Sequence, residues 1–278
     1  MKNFIREILD FIYKTFQFIN FLIRLFMKTD MKNHIPTKNN GVEEKLVILA
    51  NGPSLKEDID KIDFANCNIS VVNFFYQSPY FRDLKPQYYV IADPYFFLEK
   101  GSLELIIQKV NWHMKLFVPY YAWKQQKLFS VELNPHVEII PFHTVEYNGL
   151  NCFRHFFYKK GLSMPKAQNV LVPSIFNAIN MGYKEICLYG VDHSWTRTLC
   201  VNNQNLVCAI DSHFYDTTEK KMEPYLKRPG ESFMLHELLR AFANMFESYQ
   251  ILRNYADYMG CRIINYTKDS FIDAFERI

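Results

Sequence analysis

Two histidines with nearby carboxylates lie in the second half of the chain and could carry acid–base chemistry. His193 follows Asp192 directly, and His213 lies three residues before Asp216. Histidine is the side chain best matched to proton transfer near neutral pH, and a carboxylate beside it can orient the imidazole. The pattern predicts a general base, His193 or His213, that deprotonates a hydroxyl group while a nearby aspartate orients its ring.

Cationic and phenolic side chains in the same region could stabilise an anion. Arg197 lies four residues after His193, and Tyr215 lies two residues after His213. A guanidinium pairs well with a phosphate, and a tyrosine hydroxyl can donate a hydrogen bond to a phosphate oxygen. Both residues are candidates for binding a departing phosphate. Surface charge and aromatic packing are the alternative interpretations.

A turn of four residues, Asn51-Gly52-Pro53-Ser54, could bind a phosphate through its backbone. It follows the apolar run 46–50 and precedes a helical stretch. The amides of Gly52 and Ser54, beside a helix N-terminus, are predicted to donate to phosphate oxygens. Capping of the helix is the alternative, since Pro53 suits the first helical turn, and Ser54 can serve both purposes.

Polar residues follow four of the predicted strands, at the point where each strand ends. They are Asn51, Asn73, Asp93 and Asp192. In an open α/β sheet the ligand crevice lies outside the carboxyl ends of the strands. We therefore expect these four side chains to meet at one binding site.

Short apolar runs alternate with helical stretches from residue 45 onward. The predicted strands are 46–50, 69–73, 88–92, 116–118, 137–140, 185–189 and 261–265, and the main predicted helices are 95–110, 169–181 and 231–259. This alternation predicts an α/β fold with a Rossmann-like, mostly parallel sheet and helices on both faces. The polar and aromatic stretch 193–230 is predicted to form a lid-like loop that contacts the second substrate, the acceptor of the transferred group.

Residues 1–30 combine apolar side chains with scattered charges. Their longest uncharged run has nine residues, whereas a spanning helix needs about 20. No small-residue cleavage site follows, as a signal peptide would require. The pattern predicts an amphipathic helix that lies on a membrane surface through residues 1–28; packing on its own domain or on a second subunit is the alternative. Residues 31–44 are predicted to link it to a catalytic domain at 45–278.

The composition excludes several classes of protein. The 278 residues are 49% apolar and 17% aromatic, which predicts a sizeable core. The net charge is only +3 and no dense basic run occurs, so nucleic acid is not an expected partner. The six cysteines include no C-x-x-C pair, and no D-x-D triplet ends a predicted strand. We therefore expect reduced thiols and no obligatory metal ion.

The turn 51–54 and the stretch 182–192 resemble the bacterial sialyltransferases of glycosyltransferase family 42. The similarity covers roughly residues 45–94 and 167–192. A broader group with the same two patterns contains the Maf flagellin glycosyltransferases and archaeal hydroxymethylpterin pyrophosphokinases. The resemblance implies a GT-A-type variant of the Rossmann-like sheet. It also implies transfer from a CMP-sugar, with inversion and without a metal ion.

The resemblance also assigns residues. Asn51, Gly52 and Ser54 match the family's turn around the nucleotide phosphates. Asn73 matches an asparagine that binds CMP. Asp93 stands where the sialyltransferases have another asparagine, which removes a hydrogen-bond donor from that contact.

The family's catalytic histidine has no close counterpart in this chain. His236, near the start of the predicted helix 231–259, aligns with it only loosely. Leu235, Leu238 and Leu239 give that helix an apolar face, so a histidine packed in the core is one interpretation. A reserve general base is the other.

Together these features predict a glycosyltransferase that moves a sugar to a surface polysaccharide, glycolipid or glycoprotein. We expect it on the cytoplasmic face of the membrane, with a nucleotide sugar and a saccharide or lipid-linked acceptor as partners; a homo-oligomer remains open. Two alternatives remain. One is a pterin-type pyrophosphokinase, which would need Mg²⁺ between phosphates. The other is a nucleotide-binding protein without catalytic activity.

Overall fold

A computed structural model describes residues 2–36, 44–98, 102–125, 134–218, 220–228 and 230–278. The strands are β1 (Lys45–Leu49), β2 (Asn68–Val72), β3 (Tyr88–Val90), β4 (Met114–Pro119), β5 (Val137–Phe142), β6 (Glu185–Tyr189), β7 (Cys200–Val201), β8 (Val207–Ala209), β9 (Glu223–Pro224), β10 (Leu226–Arg228), β11 (Glu231–Ser232), β12 (Arg262–Asn265) and β13 (Glu276–Arg277). The α-helices are α1 (Lys2–Lys28), α2 (Leu55–Asp58), α3 (Tyr80–Leu84), α4 (Tyr95–Leu98), α5 (Ser102–Ile107), α6 (Tyr120–Lys124), α7 (Asn151–Lys159), α8 (Leu171–Met181) and α9 (Leu235–Met259).

Eight strands form one sheet in which the neighbouring strands run parallel. Their order is β13-β12-β6-β1-β2-β3-β4-β5. β1 lies between β2 and β6, with Leu49 opposite Val71 on one side and Tyr189 on the other. From β1 the chain builds outward to β5 and then returns to place β6 on the other side. The topological switch point of the sheet therefore lies between β1 and β6.

Alternate side chains of β1 enter two separate apolar cores, one on each face of the sheet. Leu46 and Ile48 pack in the core that contains side chains of α8 and α9, while Val47 and Leu49 pack in the core that contains side chains of α3 and α5. A strand buried on both faces needs a continuous apolar run, which β1 has. The predicted α/β class, with a parallel sheet and helices on both faces, is confirmed.

Several predicted elements have different bounds. The predicted helix 95–110 is two helices, α4 and α5. The predicted helix 231–259 begins at Leu235, because β11 pairs with β10 instead of joining the helix. The predicted loop 193–230 contains β7 to β10, which belong to two small antiparallel sheets. Helix α7 was not predicted.

Helix α1 packs on the domain with one side and leaves the other exposed. The Phe21 ring lies 4.8 Å from that of Tyr147 and 5.0 Å from that of Phe157, measured between centroids. The opposite side carries an exposed apolar stripe, which consists of Phe4, Ile5, Ile8, Leu9, Phe11, Ile12, Phe16, Ile19, Leu22, Ile23, Phe26 and Met27. Within the described residues no helix has the length and apolar content needed to cross a bilayer.

The predicted linker 31–44 is partly folded onto the domain. Ile35 is buried in the core beside α1, because its apolar side chain gains from leaving water. Asp30 and His34 contact His143, which follows β5. Residues 37–43 lie outside the described part of the chain.

Candidate active site

A small cavity of about 330 Å³ opens at the carboxyl ends of β1, β2 and β6. This is the switch point of the sheet, where open α/β folds bind their ligands. The predicted site residues that line it are Asn51, Gly52, Asn73, Asp192, His193, Arg197 and His213. The order of the strands thus brings together side chains from distant segments of the chain.

Gly52 lets the turn after β1 touch the turn after β6. Its amide donates to the Gly190 carbonyl oxygen over 2.9 Å. A Cβ at this position would lie 1.9 Å from Asp192 Oδ2 and 2.5 Å from the Gly190 oxygen. Only glycine permits this approach of the two turns. Because its amide is already bonded, the prediction that Gly52 donates to a phosphate is not supported by the hydrogen bonds.

Ser54 is bound to Asp192 rather than facing the small cavity. The Asp192 carboxylate accepts from the Ser54 amide over 3.2 Å and from its hydroxyl over 2.7 Å. Burial raises the pKa of Asp192, and the two hydrogen bonds from Ser54 oppose that rise. A phosphate at the Ser54 amide would have to displace a carboxylate. The predicted phosphate contact is therefore replaced by a clamp between the ends of β1 and β6.

Two asparagines follow β1 and β2 in the cavity wall. Asn51 Nδ2 donates to the Val72 carbonyl over 3.2 Å, while its Oδ1 is buried and meets no hydrogen-bond donor among the described residues. Asn73 has a φ of 42°, a left-handed conformation that asparagine tolerates better than most residues. An unsatisfied buried acceptor costs about 1–3 kcal/mol, which a ligand with a donor group can offset.

His193 is buried, with 7% of its surface exposed. Its Nε2 lies 2.7 Å from the Tyr249 hydroxyl and 2.9 Å from Asn169 Nδ2, and the ring also bonds the Val191 carbonyl. Burial lowers the pKa of His193 to about 3, although the bond to Val191 opposes this. The imidazole is neutral near pH 7 and its Nε2 already has partners. Its burial and its occupied ring nitrogens argue against the predicted role of His193 as a general base.

His213 is a partly exposed histidine of the small cavity. Its side chain is 27% exposed, and its Nδ1 lies 3.8 Å from Asp216 Oδ2, too far for a hydrogen bond. The Asp216 carboxylate instead accepts from the His213 amide over 2.7 Å. The imidazole stacks on the Tyr215 ring with centroids 5.2 Å apart. His213 thus keeps the exposure that a base needs, with its ring stacked on Tyr215, whereas the predicted hydrogen bond between the imidazole and Asp216 is not formed.

Arg197 contributes an exposed guanidinium to the small cavity. Its Nη2 donates to the Asp269 carbonyl over 3.3 Å, and the guanidinium lies 4.7 Å from the centre of the Phe271 ring. An arginine has five N–H donors, so these contacts leave donors for an anion. The role of Arg197 in phosphate binding stays a prediction.

Besides Ser54, two of the predicted ligand-binding residues lie outside the small cavity. Tyr215 lines neither the small cavity nor the larger one beside it, and burial raises its pKa above the usual range. It supports the His213 ring rather than a phosphate. Asp93 lines the larger cavity only, and its Oδ1 accepts from the Tyr95 amide over 2.9 Å.

His236 is exposed on the first turn of α9 and lines neither cavity. The interpretation as a core histidine is wrong, because the helix turns Leu238 and Phe242 inward and leaves Leu235 and Leu239 exposed. The same orientation keeps His236 away from the small cavity. It is therefore not a candidate base in this structure.

A large cavity of about 1030 Å³ adjoins the small one. The residues that line both are Asn73, Asn169, Val170 and Trp195. The charged residues of the large cavity are Arg24, Lys28, Asp93, Lys124, Glu146, Lys166 and Lys227. Positive charge predominates, and two of these cations belong to α1. The two cavities form one cleft across the carboxyl edge of the sheet.

Sequence reasoning missed the two polar side chains Asn169 and Trp195, which lie where the cavities meet. Asn169 Nδ2 donates to the Tyr249 hydroxyl over 2.7 Å. An asparagine just before a helix is a capping signal, which could have separated Asn169 from the predicted helix that begins there. Trp195 stacks on Phe242 and donates from Nε1 to Asp211 over 3.1 Å. No sequence signal marks the tryptophan.

Comparisons with known proteins give matches only among solved structures. No family profile and no curated protein matches the sequence. The sialyltransferase CstII from Campylobacter jejuni, in complex with cytidine-5′-monophosphate, is 17% identical, with a TM-score of 0.45 over 86% of this chain and 86% of that chain. The monofunctional α-2,3-sialyltransferase Cst-I from Campylobacter jejuni is 15% identical, with a TM-score of 0.41 over 86% of this chain and 83% of that chain.

Proposed function

We propose that this protein is a glycosyltransferase that moves a sugar from a CMP-sugar to a saccharide acceptor. The observation that carries the proposal is that His213 and Arg197 line one cavity at the switch point of the sheet. A partly exposed imidazole and a guanidinium are the base and the phosphate partner that glycosyl transfer requires. The choice of CMP rests on the resemblance of the turn 51–54 and the stretch 182–192 to the sialyltransferases.

His213 is the general base in the proposed mechanism. It takes the proton from the acceptor hydroxyl while that oxygen attacks the anomeric carbon of the donor sugar. The bond between the anomeric carbon and the phosphate oxygen breaks, and its electron pair leaves with CMP. Attack on the side opposite the phosphate inverts the configuration of the anomeric carbon.

Arg197 stabilises the negative charge that develops on the phosphate as CMP departs. A guanidinium forms paired, charge-assisted hydrogen bonds with phosphate oxygens. This side chain takes the place of the metal ion that many other transferases use, so we expect transfer without an obligatory metal ion. Trp195 shields the reacting groups from water, because it lies where the two cavities meet.

The large cavity is the proposed acceptor site. Tyr225, Leu226 and Lys227, from the predicted lid 193–230, form part of its wall, which supports the predicted contact between the lid and the acceptor. The partly exposed aromatic side chain of Tyr225 offers apolar surface to a sugar ring. The excess of lysine and arginine favours an acceptor that carries a phosphate or a carboxylate.

The apolar stripe of α1 supports a position on the inner face of the membrane. Its exposed side chains lie on one side of the helix, and lysines and arginines lie on the other, the arrangement of helices in a bilayer interface. Arg24 and Lys28 of the same helix line the large cavity. An acceptor linked to a lipid of that membrane would therefore reach the cleft directly. Association of two copies through the stripe is the alternative.

Nucleotide binding tests the proposed donor. The experiment is a thermal-shift panel with CMP, UDP, GDP and ATP, each with and without Mg²⁺, followed by calorimetric titration of any nucleotide that stabilises the protein. Selective stabilisation by CMP without metal supports the proposal. A response to ATP with Mg²⁺ alone would instead identify a pyrophosphokinase. The absence of any response would favour a protein without catalytic activity.

A further inference from the structure

Three potential metal ligands that line neither cavity converge at the base of α1. Asp30 and His34 belong to the segment after the helix, and His143 follows β5. One ligand atom from each residue lies within 4.8 Å of the other two. Among the described residues, these three side chains are the group of His, Cys, Asp or Glu residues that could hold a metal ion together.

The distances within the group are close to those between ligands of a tetrahedral ion. His34 Nε2 lies 2.9 Å from Asp30 Oδ2, and His143 Nε2 lies 3.2 Å from Asp30 Oδ1. Metal–ligand bonds of about 2.0–2.1 Å place tetrahedral ligands about 3.3 Å apart. The remaining separation, between the ring nitrogens of His34 and His143, is at most 4.8 Å. The Lys32 carbonyl oxygen, 3.1 Å from His143 Nε2, offers a fourth ligand.

The surroundings of His143 restrict solvent. Only 2% of the residue is exposed, and its ring lies 4.6 Å from that of Tyr120. The His34 ring lies 6.1 Å from that of Trp123. A shell of this kind limits the access of solvent to a bound ion.

We propose that Asp30, His34 and His143 bind one divalent transition-metal ion, with zinc the best match to two imidazoles and one carboxylate. Zinc accepts this ligand set in tetrahedral geometry, and calcium and magnesium prefer all-oxygen ligands. The site joins the segment after α1 to the end of β5. Its role is to fix the orientation of α1 on the domain, and it takes no part in the proposed sugar transfer.

A hydrogen-bonded triad without metal is the competing arrangement. In that case both histidines donate from Nε2 to the Asp30 carboxylate, and the same distances result. The two arrangements differ in a measurable way, because only the metal site binds a stoichiometric ion and loses it when one imidazole is removed.

The test is calorimetric titration of ZnCl₂ into tag-free, chelator-treated protein in which the exposed Cys152 and Cys200 are serine. That background removes thiols that would bind zinc on their own. We expect one equivalent of Zn²⁺ at micromolar affinity or better. His34→Gln, at a half-buried position that tolerates the change, should weaken binding at least tenfold. His236→Gln, which removes an exposed histidine elsewhere, should leave binding unchanged.

Cobalt gives a second readout. Co²⁺ in a four-coordinate site absorbs strongly in the visible range, and His34→Gln or Asp30→Asn should abolish that band while circular dichroism stays like that of the wild type. Failure to bind one equivalent of zinc, or equal binding by His34→Gln and the wild type, would overturn the proposal. Neither result bears on sugar transfer, which CMP binding tests separately.

Discussion

The carboxylate of Asp192 accepts hydrogen bonds from both the amide and the hydroxyl of Ser54, at 3.2 Å and 2.7 Å. The two residues lie 138 positions apart in the chain and meet because β1 and β6 are neighbours in the sheet. The contact joins the turns that follow β1 and β6 at the switch point of the sheet. It also places a negative charge at the turn where the sequence predicted a bound phosphate.

Ser54→Ala should destabilise the protein by about 1.5–3 kcal/mol, because the substitution removes a hydrogen bond to a charged and largely buried carboxylate. Urea denaturation measures this as a lower midpoint with an unchanged slope. Ser212→Ala is the matched control, since it removes a hydroxyl from the wall of the small cavity. We expect a loss below about 0.5 kcal/mol for the control. Equal midpoints for the two variants would show that the clamp contributes nothing.

His213→Ala should abolish sugar transfer, with a fall in kcat of about 10²–10⁴, because no other imidazole takes the proton. CMP affinity should change less than threefold, since the proposed contacts of the nucleotide are with Arg197, Asn51 and Asn73 rather than with His213. Transfer assays and calorimetric titration measure the two quantities separately. His236→Ala, which removes a histidine that lies in neither cavity, should keep wild-type turnover. Wild-type activity in His213→Ala would remove this residue from the mechanism.

His193 makes stability depend on pH in a predictable window. Burial lowers the pKa of His193 from 6.5 to about 3 in the folded state. Between these two pH values the unfolded chain binds a proton at His193 and the folded chain does not. The favourable contribution is therefore complete above pH 6.5 and falls as the pH drops from 6.5 towards 3, by about 1.4 kcal/mol per pH unit. Asparagine is a suitable replacement for His193, because it tolerates the left-handed backbone at this position, where φ is 53°.

His193→Asn should accordingly flatten the loss of stability below pH 6.5, in addition to a uniform destabilisation of about 1–3 kcal/mol from the lost contacts with Tyr249 and Asn169. Chemical denaturation at pH 7.5, 6 and 5 measures both effects. His236→Gln serves as the control and should keep the wild-type slope. An identical slope in His193→Asn and the wild type would contradict the assignment of the slope to this buried ring.

The apolar stripe should bind vesicles that contain anionic lipid. Ile8→Glu combined with Ile12→Glu should reduce co-flotation at least tenfold, because two apolar side chains no longer enter the bilayer. Gln17→Glu combined with Asn20→Glu adds the same charge to the other side of α1 and should weaken flotation much less. Gel filtration of each variant reports self-association. The stripe would instead bind a second copy if the wild-type protein does not float but elutes as a dimer, and if Ile8→Glu combined with Ile12→Glu dissociates that dimer.

The strands and the place of the site could be predicted because both depend on local patterns. A continuous apolar run such as 46–50 has the pattern of a strand buried on both faces, and a polar residue such as Asn51 marks its end. The sheet then brings those ends together whatever the loops do. For this reason three of the four predicted strand-end residues, Asn51, Asn73 and Asp192, line one cavity, whereas Asp93 lines only the large one.

The roles within the site could not be predicted because they depend on contacts between distant elements. The burial of His193 comes from Tyr249 on α9 and from Asn169 before α8, and neither contact follows from the residues beside it. The exposure of His236 depends on where α9 begins. Helix α9 begins four residues later than predicted, after β11, and tertiary packing decides which of its sides faces the core.

A crystal structure of the protein soaked with CMP tests most directly whether the switch point is the nucleotide site. We expect the phosphate within hydrogen-bond distance of Arg197 and the nucleoside between Asn51 and Asn73 in the small cavity, with the contact between Asp192 and Ser54 intact. CMP bound at another place, with the small cavity holding only water, would contradict the proposed function.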